Sequence, residues 1–141
     1  MKISNDNPPN GIREEAEAAF NLKGKHPIFT YGDTIYNPHQ GGIDPPLMKH
    51  EETHMYQQGS HPGGPDGWWK QYFEDEDFRF IMELEAYRNQ WDAIRTHHND
   101  GNVRIRELHR ISVDLGSGMY GAPLPLGLCM KLIKREAEPH D

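Results

Sequence analysis

Residues 45–59, PPLMKHEETHMYQQG, contain the pattern that decides how this chain is expected to fold. Asp44 precedes the stretch as a helix N-cap and Pro45 suits the first helical position, so the stretch is predicted to be helical. His50 and His54 then lie four residues apart on one helical face, where both imidazoles can bind one metal ion. Tetrahedral zinc, Zn2+, is the usual ion for such a pair.

Glu51 lies about 100° around the helix from His50, too far to bind the same ion but close enough to reach a water molecule on it. Water acidified by a metal is the nucleophile of metal-dependent hydrolysis, and Glu51 is the candidate general base. The alternative is a metal-free helical protein with a coincidental motif, because the chain has nine histidines. A chance match need not fall on a well-capped helix, so the pattern favours a metal site.

A catalytic zinc site needs three protein ligands and one open position, and the region after the motif offers Glu83 and Glu85. On a helical wheel, Glu83 borders an apolar stripe, whereas Glu85 lies about 200° around the helix from it. A carboxylate beside a buried stripe is costly unless it is paired or bound to metal, which favours Glu83. Two alternatives stay open: Glu83 as a surface glutamate with its stem at the core edge, and His61 as third ligand.

The segments HEETHMYQQ and ELEAY together resemble the metal-site signature of gluzincin-type zincin metallopeptidases. In those families, HExxH is followed by a helix that carries a glutamate ligand. The resemblance implies that His50, His54 and Glu83 are metal ligands, that Zn2+ is the cofactor, and that Glu51 is the base. Where those families often have an aspartate that orients a ligand histidine, this chain has Tyr87, which bears directly on turnover.

More narrowly, HEETHMYQQG, WWKQYFEDEDFRFIMELEAYR and GSGMYG resemble small phage and prophage proteins with a predicted zincin fold. The paired glutamines after the motif also resemble those of the metallopeptidase-like core domain in phage-tail-derived injection systems. Together these similarities span roughly residues 45–121. They favour a zinc metallopeptidase that hydrolyses a peptide bond in a protein or in peptidoglycan. The alternative is a zinc-stabilised phage structural or assembly protein that keeps the site without turnover.

Charge and composition limit the partners, the cellular location and the types of site that this chain is expected to have. The net charge of -7 and the scattered basic residues argue against a nucleic-acid partner. No apolar run follows a basic start and no stretch approaches membrane-span length, so we expect no membrane segment and a cytoplasmic location, in a bacterial host if phage-encoded. The only cysteine, Cys129, excludes an intramolecular disulfide and a multi-cysteine zinc site, and it is expected to be a buried apolar residue.

The tryptophan cluster and Tyr120 each have one structural and one functional interpretation. The cluster around Trp68 and Trp69 is predicted to pack in the core, with a carbohydrate or peptide platform as the alternative. Tyr120 lies in GSGMYG, where the glycines indicate tightly packed backbone. Zincins often use a tyrosine to stabilise the oxyanion opposite the metal. The favoured interpretation is that Tyr120 packs within its loop, and the alternative is that it stabilises an oxyanion.

The whole pattern predicts one α+β domain over residues 1–141, a minimal zincin-like fold that is mostly helical, with residues 1–11 as a loose N-terminal arm. PIFTYGDTIYNP predicts a β-hairpin or small sheet beside the metal-site helix, with DTIYNP as the edge strand that aligns a peptide. Leu, Ile, Val and Phe make up roughly a fifth of the chain, a lean core to whose stability a metal would contribute. Further helices are expected at 12–20, from near 68, at 77–98, at 103–115 and at 128–138.

Overall fold

A computed structural model describes residues 1–135, and within that range the chain forms an α+β fold of six helices and one three-stranded sheet. The fold class predicted from the sequence is therefore confirmed. The strands are β1 (Lys2–Ser4), β2 (Phe29–Tyr31) and β3 (Thr34–Tyr36). The helices are α1 (Ile12–Ala19), α2 (Pro45–Ser60), α3 (Gly64–Glu74), α4 (Glu76–His97), α5 (Gly101–Leu115) and α6 (Leu126–Lys134).

Helices α2 and α4 pack on each other more extensively than any other pair of elements in the described chain, and this pair positions the candidate site. The Asp44 carboxylate accepts the backbone N–H of Leu47 at 2.9 Å, which confirms the predicted N-cap of α2. Asp75 caps α4 in the same way through the N–H of Phe78 at 3.1 Å. Both helices are therefore fixed at their N-termini by local sequence.

The sheet contains the predicted hairpin and one strand that the sequence did not reveal. Strands β2 and β3 pair antiparallel around Gly32, whose φ of +62° lies in the left-handed region that favours glycine. Strand β1 pairs parallel with β3, with Ile3 opposite Ile35, so the strand order is β1-β3-β2. The expectation of a loose arm over residues 1–11 is thus wrong for 2–4, because an isolated two-stranded hairpin is marginal and its open edge recruits a third strand.

The expectation that DTIYNP is an edge strand is also wrong, because β3 is the central strand and β2 is the edge that faces α2. That edge is already occupied. The Gln58 carboxamide accepts the N–H of Gly32 at 2.8 Å and donates to the carbonyl of Thr30 at 2.6 Å, and the Trp69 indole N–H donates to the same carbonyl at 2.9 Å. A peptide strand therefore cannot add to β2 at these positions.

The core has two halves, and Tyr120 packs against both of them. One half is mainly aromatic and contains Trp68 and Trp69 of α3, and the other is mainly aliphatic and lies between α4, α5 and α6. Cys129 is completely buried in the second half, so the predicted packing of the tryptophans and the cysteine is confirmed. No helix in the described range is both long and apolar enough to cross a bilayer.

Helices α3 and α6 begin earlier in the chain than the sequence predicts. Helix α3 begins at Gly64, about one turn before the expected start near Trp68, because Pro65 occupies one of its first two positions and is compatible with a helix N-terminus there. Helix α6 is described to Lys134, and the rest of the expected final helix, 136–138, lies outside the described residues.

Candidate metal centre

Three side chains from α2 and α4 converge on one point between the helices. Nε2 of His50 and Nε2 of His54 are 3.2 Å apart, and Oε1 of Glu83 lies 3.1 Å from the first and 2.8 Å from the second. All three residues are at most 6% exposed. They form the one group of three or more potential metal ligands found within residues 1–135.

The spacing of these atoms fits a small tetrahedral ion. Zinc bonds to imidazole nitrogen and carboxylate oxygen are about 2.0–2.2 Å long, so adjacent ligand atoms of a tetrahedral site lie roughly 3.3 Å apart. The three observed distances, 2.8 to 3.2 Å, are shorter by a few tenths of an ångström. A small outward movement of the side chains would make room for the ion, so the donor set fits zinc in geometry and in ligand type.

Both imidazoles are held by amide oxygens on the side away from the centre. Nδ1 of His50 lies 2.9 Å from Oε1 of Gln90, and Nδ1 of His54 lies 2.8 Å from Oε1 of Gln57. Because an amide oxygen only accepts, each Nδ1 carries a proton, so Nε2 is the nitrogen of each ring that is available to bind a metal. Gln57 is fixed in this orientation because its amide nitrogen donates to the carbonyl of Met82 at 3.0 Å.

The carboxylate of Glu83 is held in a similar way. Its Oε2 accepts the hydroxyl of Tyr72 at 3.1 Å, which leaves Oε1 facing the two histidines. Burial raises the pKa of Glu83, but His54 and His50 outweigh burial and lower that pKa below its ordinary value. Burial lowers the pKa of His54, but the Glu83 carboxylate outweighs it and raises that pKa to about 9. Without metal, the centre therefore holds a proton on His54.

The placement of the two candidate carboxylates agrees with the helical wheel. Glu83 is 3% exposed and faces the histidines, whereas Glu85 is exposed and accepts a hydrogen bond from Gln57 at 3.0 Å. The rival ligand His61 lies elsewhere, with its Nε2 2.8 Å from Oε1 of Gln71 and its Nδ1 accepting the N–H of Gly63. The structure thus brings together His50, His54 and Glu83 and leaves His61 out.

Tyr87 does not hydrogen-bond a ligand histidine, which is the role that an aspartate often has at the corresponding position of gluzincins. Its hydroxyl donates to the hydroxyl of Tyr120 at 3.5 Å, and its ring packs edge-on against His50 with centroids 4.5 Å apart. The histidine is oriented instead by Gln90, one helical turn further along α4. Sequence reasoning missed Gln90, although its position seven residues after Glu83 puts it on the same buried face and was a usable signal.

Two cavities meet beside the centre. The first, which we term the aromatic cavity, has a volume of about 120 Å³ and walls that include Phe29, Trp68 and Trp69. The second, which we term the polar cavity, has a volume of about 400 Å³ and walls that include Arg110 and Asp114. Five residues line both cavities: Pro27, Ile28, His50, Glu51 and Tyr120.

Glu51 and Tyr120 thus lie at the boundary between the two cavities. Glu51 is 6% exposed and follows His50 directly on α2. Tyr120 is partly buried and packs against both halves of the core, so it is a packed loop residue that also lines the cavities. Burial raises the pKa of Tyr120, with Glu83 adding to the effect, so its hydroxyl keeps its proton and can donate a hydrogen bond.

Comparison with known proteins gives no matching family model, no matching curated sequence and no matching solved structure. The resemblance to gluzincins and to phage proteins therefore stays an expectation from the sequence motifs.

Zinc removal is expected to lower the melting temperature, and to lower it more at pH 8.5 than at pH 6. Binding far above the dissociation constant stabilises by roughly 3–4 kcal/mol, a shift on the order of 10 °C for a domain of this size. Because the pKa of His54 rises from 6.5 to about 9 on folding, its proton stabilises the metal-free protein fully below pH 6.5, and this contribution is lost as pH rises through 9. Zinc must displace that proton, so its binding strengthens over the same range.

Thermal unfolding with and without a chelator across this pH range measures the effect. A melting temperature that is unchanged after verified metal removal, or a shift that does not grow with pH, would contradict the expected role of the centre in stability. A His54→Ala variant is the control, since it should lose both the shift and its pH dependence.

Proposed function

We propose that this chain is a zinc-dependent hydrolase that cleaves a peptide bond in a protein or in peptidoglycan. One observation carries the proposal: Nε2 of His50, Nε2 of His54 and Oε1 of Glu83 lie within 2.8 to 3.2 Å of one another, next to a carboxylate, Glu51, that faces two cavities. This arrangement supplies three ligands, a base and space for a substrate, which are the components that metal-assisted hydrolysis requires.

A zinc ion held by His50, His54 and Glu83 would polarise the scissile carbonyl and acidify a water molecule. The Glu51 carboxylate accepts one proton of the attacking water as the water oxygen bonds to the carbonyl carbon. Glu51 then delivers that proton to the amide nitrogen as the carbon–nitrogen bond breaks. One water molecule is consumed and a carboxylic acid and an amine are released, so no further co-reactant is needed.

Tyr120, which lines both cavities, would assist this reaction. Its hydroxyl is kept protonated by burial and by the nearby Glu83 charge, so it can donate to the oxygen on which negative charge develops. The two cavities divide a bound peptide into unequal parts. The aromatic cavity, at about 120 Å³, has room for one apolar side chain, and the polar cavity, at about 400 Å³, has room for a longer polar segment.

The second candidate is a zinc-stabilised structural or assembly protein without turnover. The specific observation in its favour is the occupied edge of β2, where Gln58 and Trp69 bind the backbone polar groups that an added peptide strand would need. In that function the centre would join α2 to α4, and Glu51 would have no catalytic task.

A substrate panel tests the proposed function. The zinc-loaded protein is incubated with denatured proteins and with purified peptidoglycan, and newly formed amino groups are measured. Hydrolysis that stops on chelation and returns with zinc supports the hydrolase. A protein that is fully loaded with zinc yet inert across the panel supports the assembly role instead.

A further inference from the structure

We propose that Thr30 on β2 is the positioning residue for Glu51, an inference that rests on the proposed hydrolase function. The Thr30 hydroxyl donates to Oε2 of Glu51 at 2.7 Å, and Thr30 is 2% exposed. A hydrogen bond of this length from a buried hydroxyl to a carboxylate is of the strong, charge-assisted kind. This hydrogen bond connects β2 to α2 at Glu51, the residue on which the proposed hydrolysis depends.

The hydroxyl proton of Thr30 is committed to this carboxylate. Its next acceptor is the backbone carbonyl of Glu51 itself, at 3.5 Å, which is a much weaker partner. The backbone of Thr30 is fixed as well, because its carbonyl accepts hydrogen bonds from Gln58 at 2.6 Å and Trp69 at 2.9 Å. Thr30 is thus a rigid donor that does not follow the movements of the glutamate.

This donor leaves the two oxygens of Glu51 in different environments. Oε2 is bound to Thr30, whereas Oε1 has no hydrogen-bond partner among residues 1–135. The terminal torsion of a glutamate is broad and roughly two-fold, so a carboxylate held at neither oxygen samples many orientations. Fixing Oε2 therefore holds Oε1 ready to accept the proton of the attacking water.

Thr30→Val removes the hydroxyl and keeps the shape of the side chain. We expect kcat to fall about 10- to 100-fold, the range seen when a group that orients a metal ligand is removed, with KM changed less than about twofold. Thr30→Ser restores the donor and should recover kcat to within a few-fold of wild type. Zinc content and melting temperature, measured alongside, show whether each variant is folded.

Thr53→Val is the matched control. Thr53 lies on α2 two residues after Glu51, is 4% exposed, and uses its hydroxyl to donate to the carbonyl of Lys49 and to accept from Asn89. Removing this hydroxyl is expected to change stability without changing kcat. Equal losses of kcat in Thr30→Val and Thr53→Val, or an unchanged kcat in Thr30→Val, would overturn the inference.

A second measurement needs no turnover. Acetohydroxamic acid passes its hydroxyl proton to a neighbouring carboxylate as it binds zinc, so its affinity for the zinc-loaded protein reports the placement of Glu51. We expect about tenfold weaker binding in Thr30→Val and unchanged binding in Thr53→Val. If the protein is inert on every substrate but acetohydroxamate binding is weakened only in Thr30→Val, the hydrolase proposal is refuted and the positioning of Glu51 by Thr30 is supported. Unchanged binding in Thr30→Val of an active protein would refute only the role of Thr30.

If Thr30→Val fails to fold, the pair Thr30→Ser and Thr30→Ala takes its place, because these two variants differ by the hydroxyl alone. A higher kcat and tighter acetohydroxamate binding in the serine variant support the inference. Equal values in the two variants overturn it.

Discussion

Glu51→Gln is expected to lower turnover by two or more orders of magnitude while zinc content and melting temperature stay near those of wild type. Glutamine has the size of glutamate, and its amide oxygen can still accept the Thr30 hydroxyl that now binds Glu51 at 2.7 Å. It cannot accept a proton from water at neutral pH, so the general-base contribution is lost. Turnover is measured on the best substrate of the panel, at saturating zinc.

Glu52→Gln is the matched control for that experiment. Glu52 is the next residue on α2 and forms a partly exposed ion pair with Lys49 at 3.8 Å, so its charge has no contact with the centre. Its variant should keep wild-type turnover. Equal losses in the two variants would indicate a general effect of charge on α2, and no loss in Glu51→Gln would exclude Glu51 as the base.

Glu83→Ala is expected to weaken zinc binding by at least two orders of magnitude, whereas Glu85→Ala should weaken it by less than tenfold. Loss of an orienting group alone typically reduces metal affinity 10- to 100-fold, and removal of a ligand removes a metal bond itself. Oε1 of Glu83 lies 2.8 Å from Nε2 of His54, whereas Glu85 contacts the centre only through Gln57, which it helps to hold.

Competition with a chromophoric chelator measures both affinities. The two variants remove the same functional group from the same helix, so they differ only in the face on which the carboxylate lies. A larger loss in Glu85→Ala, or equal losses, would show that Glu83 is not a ligand.

The part of the site that the sequence predicts is the part determined by one helix at a time. The spacing of His50 and His54 fixes their common face, and the apolar stripe around Tyr87 fixes the phase of α4, so Glu83 can be separated from Glu85 without tertiary information. The N-cap at Asp44 is equally local and equally predictable.

What the sequence did not predict depends on contacts between distant segments. Thr30 meets Glu51, and Gln90 meets His50, only because β2 and α4 pack on α2. Strand β1 is three residues long and becomes a strand through its pairing with β3, so its own composition contains no signal. The occupied edge of β2 likewise requires the Gln58 side chain to reach across from another element.

We propose that His50, His54 and Glu83 together hold one zinc ion. Crystals grown with equimolar zinc and measured on both sides of the zinc absorption edge would locate this ion. The geometry predicts one anomalous peak about 2.0–2.2 Å from Nε2 of His50, Nε2 of His54 and a carboxylate oxygen of Glu83. A fully zinc-equilibrated crystal with no peak between these atoms, or with its peak on His61 or Glu85 instead, would contradict it.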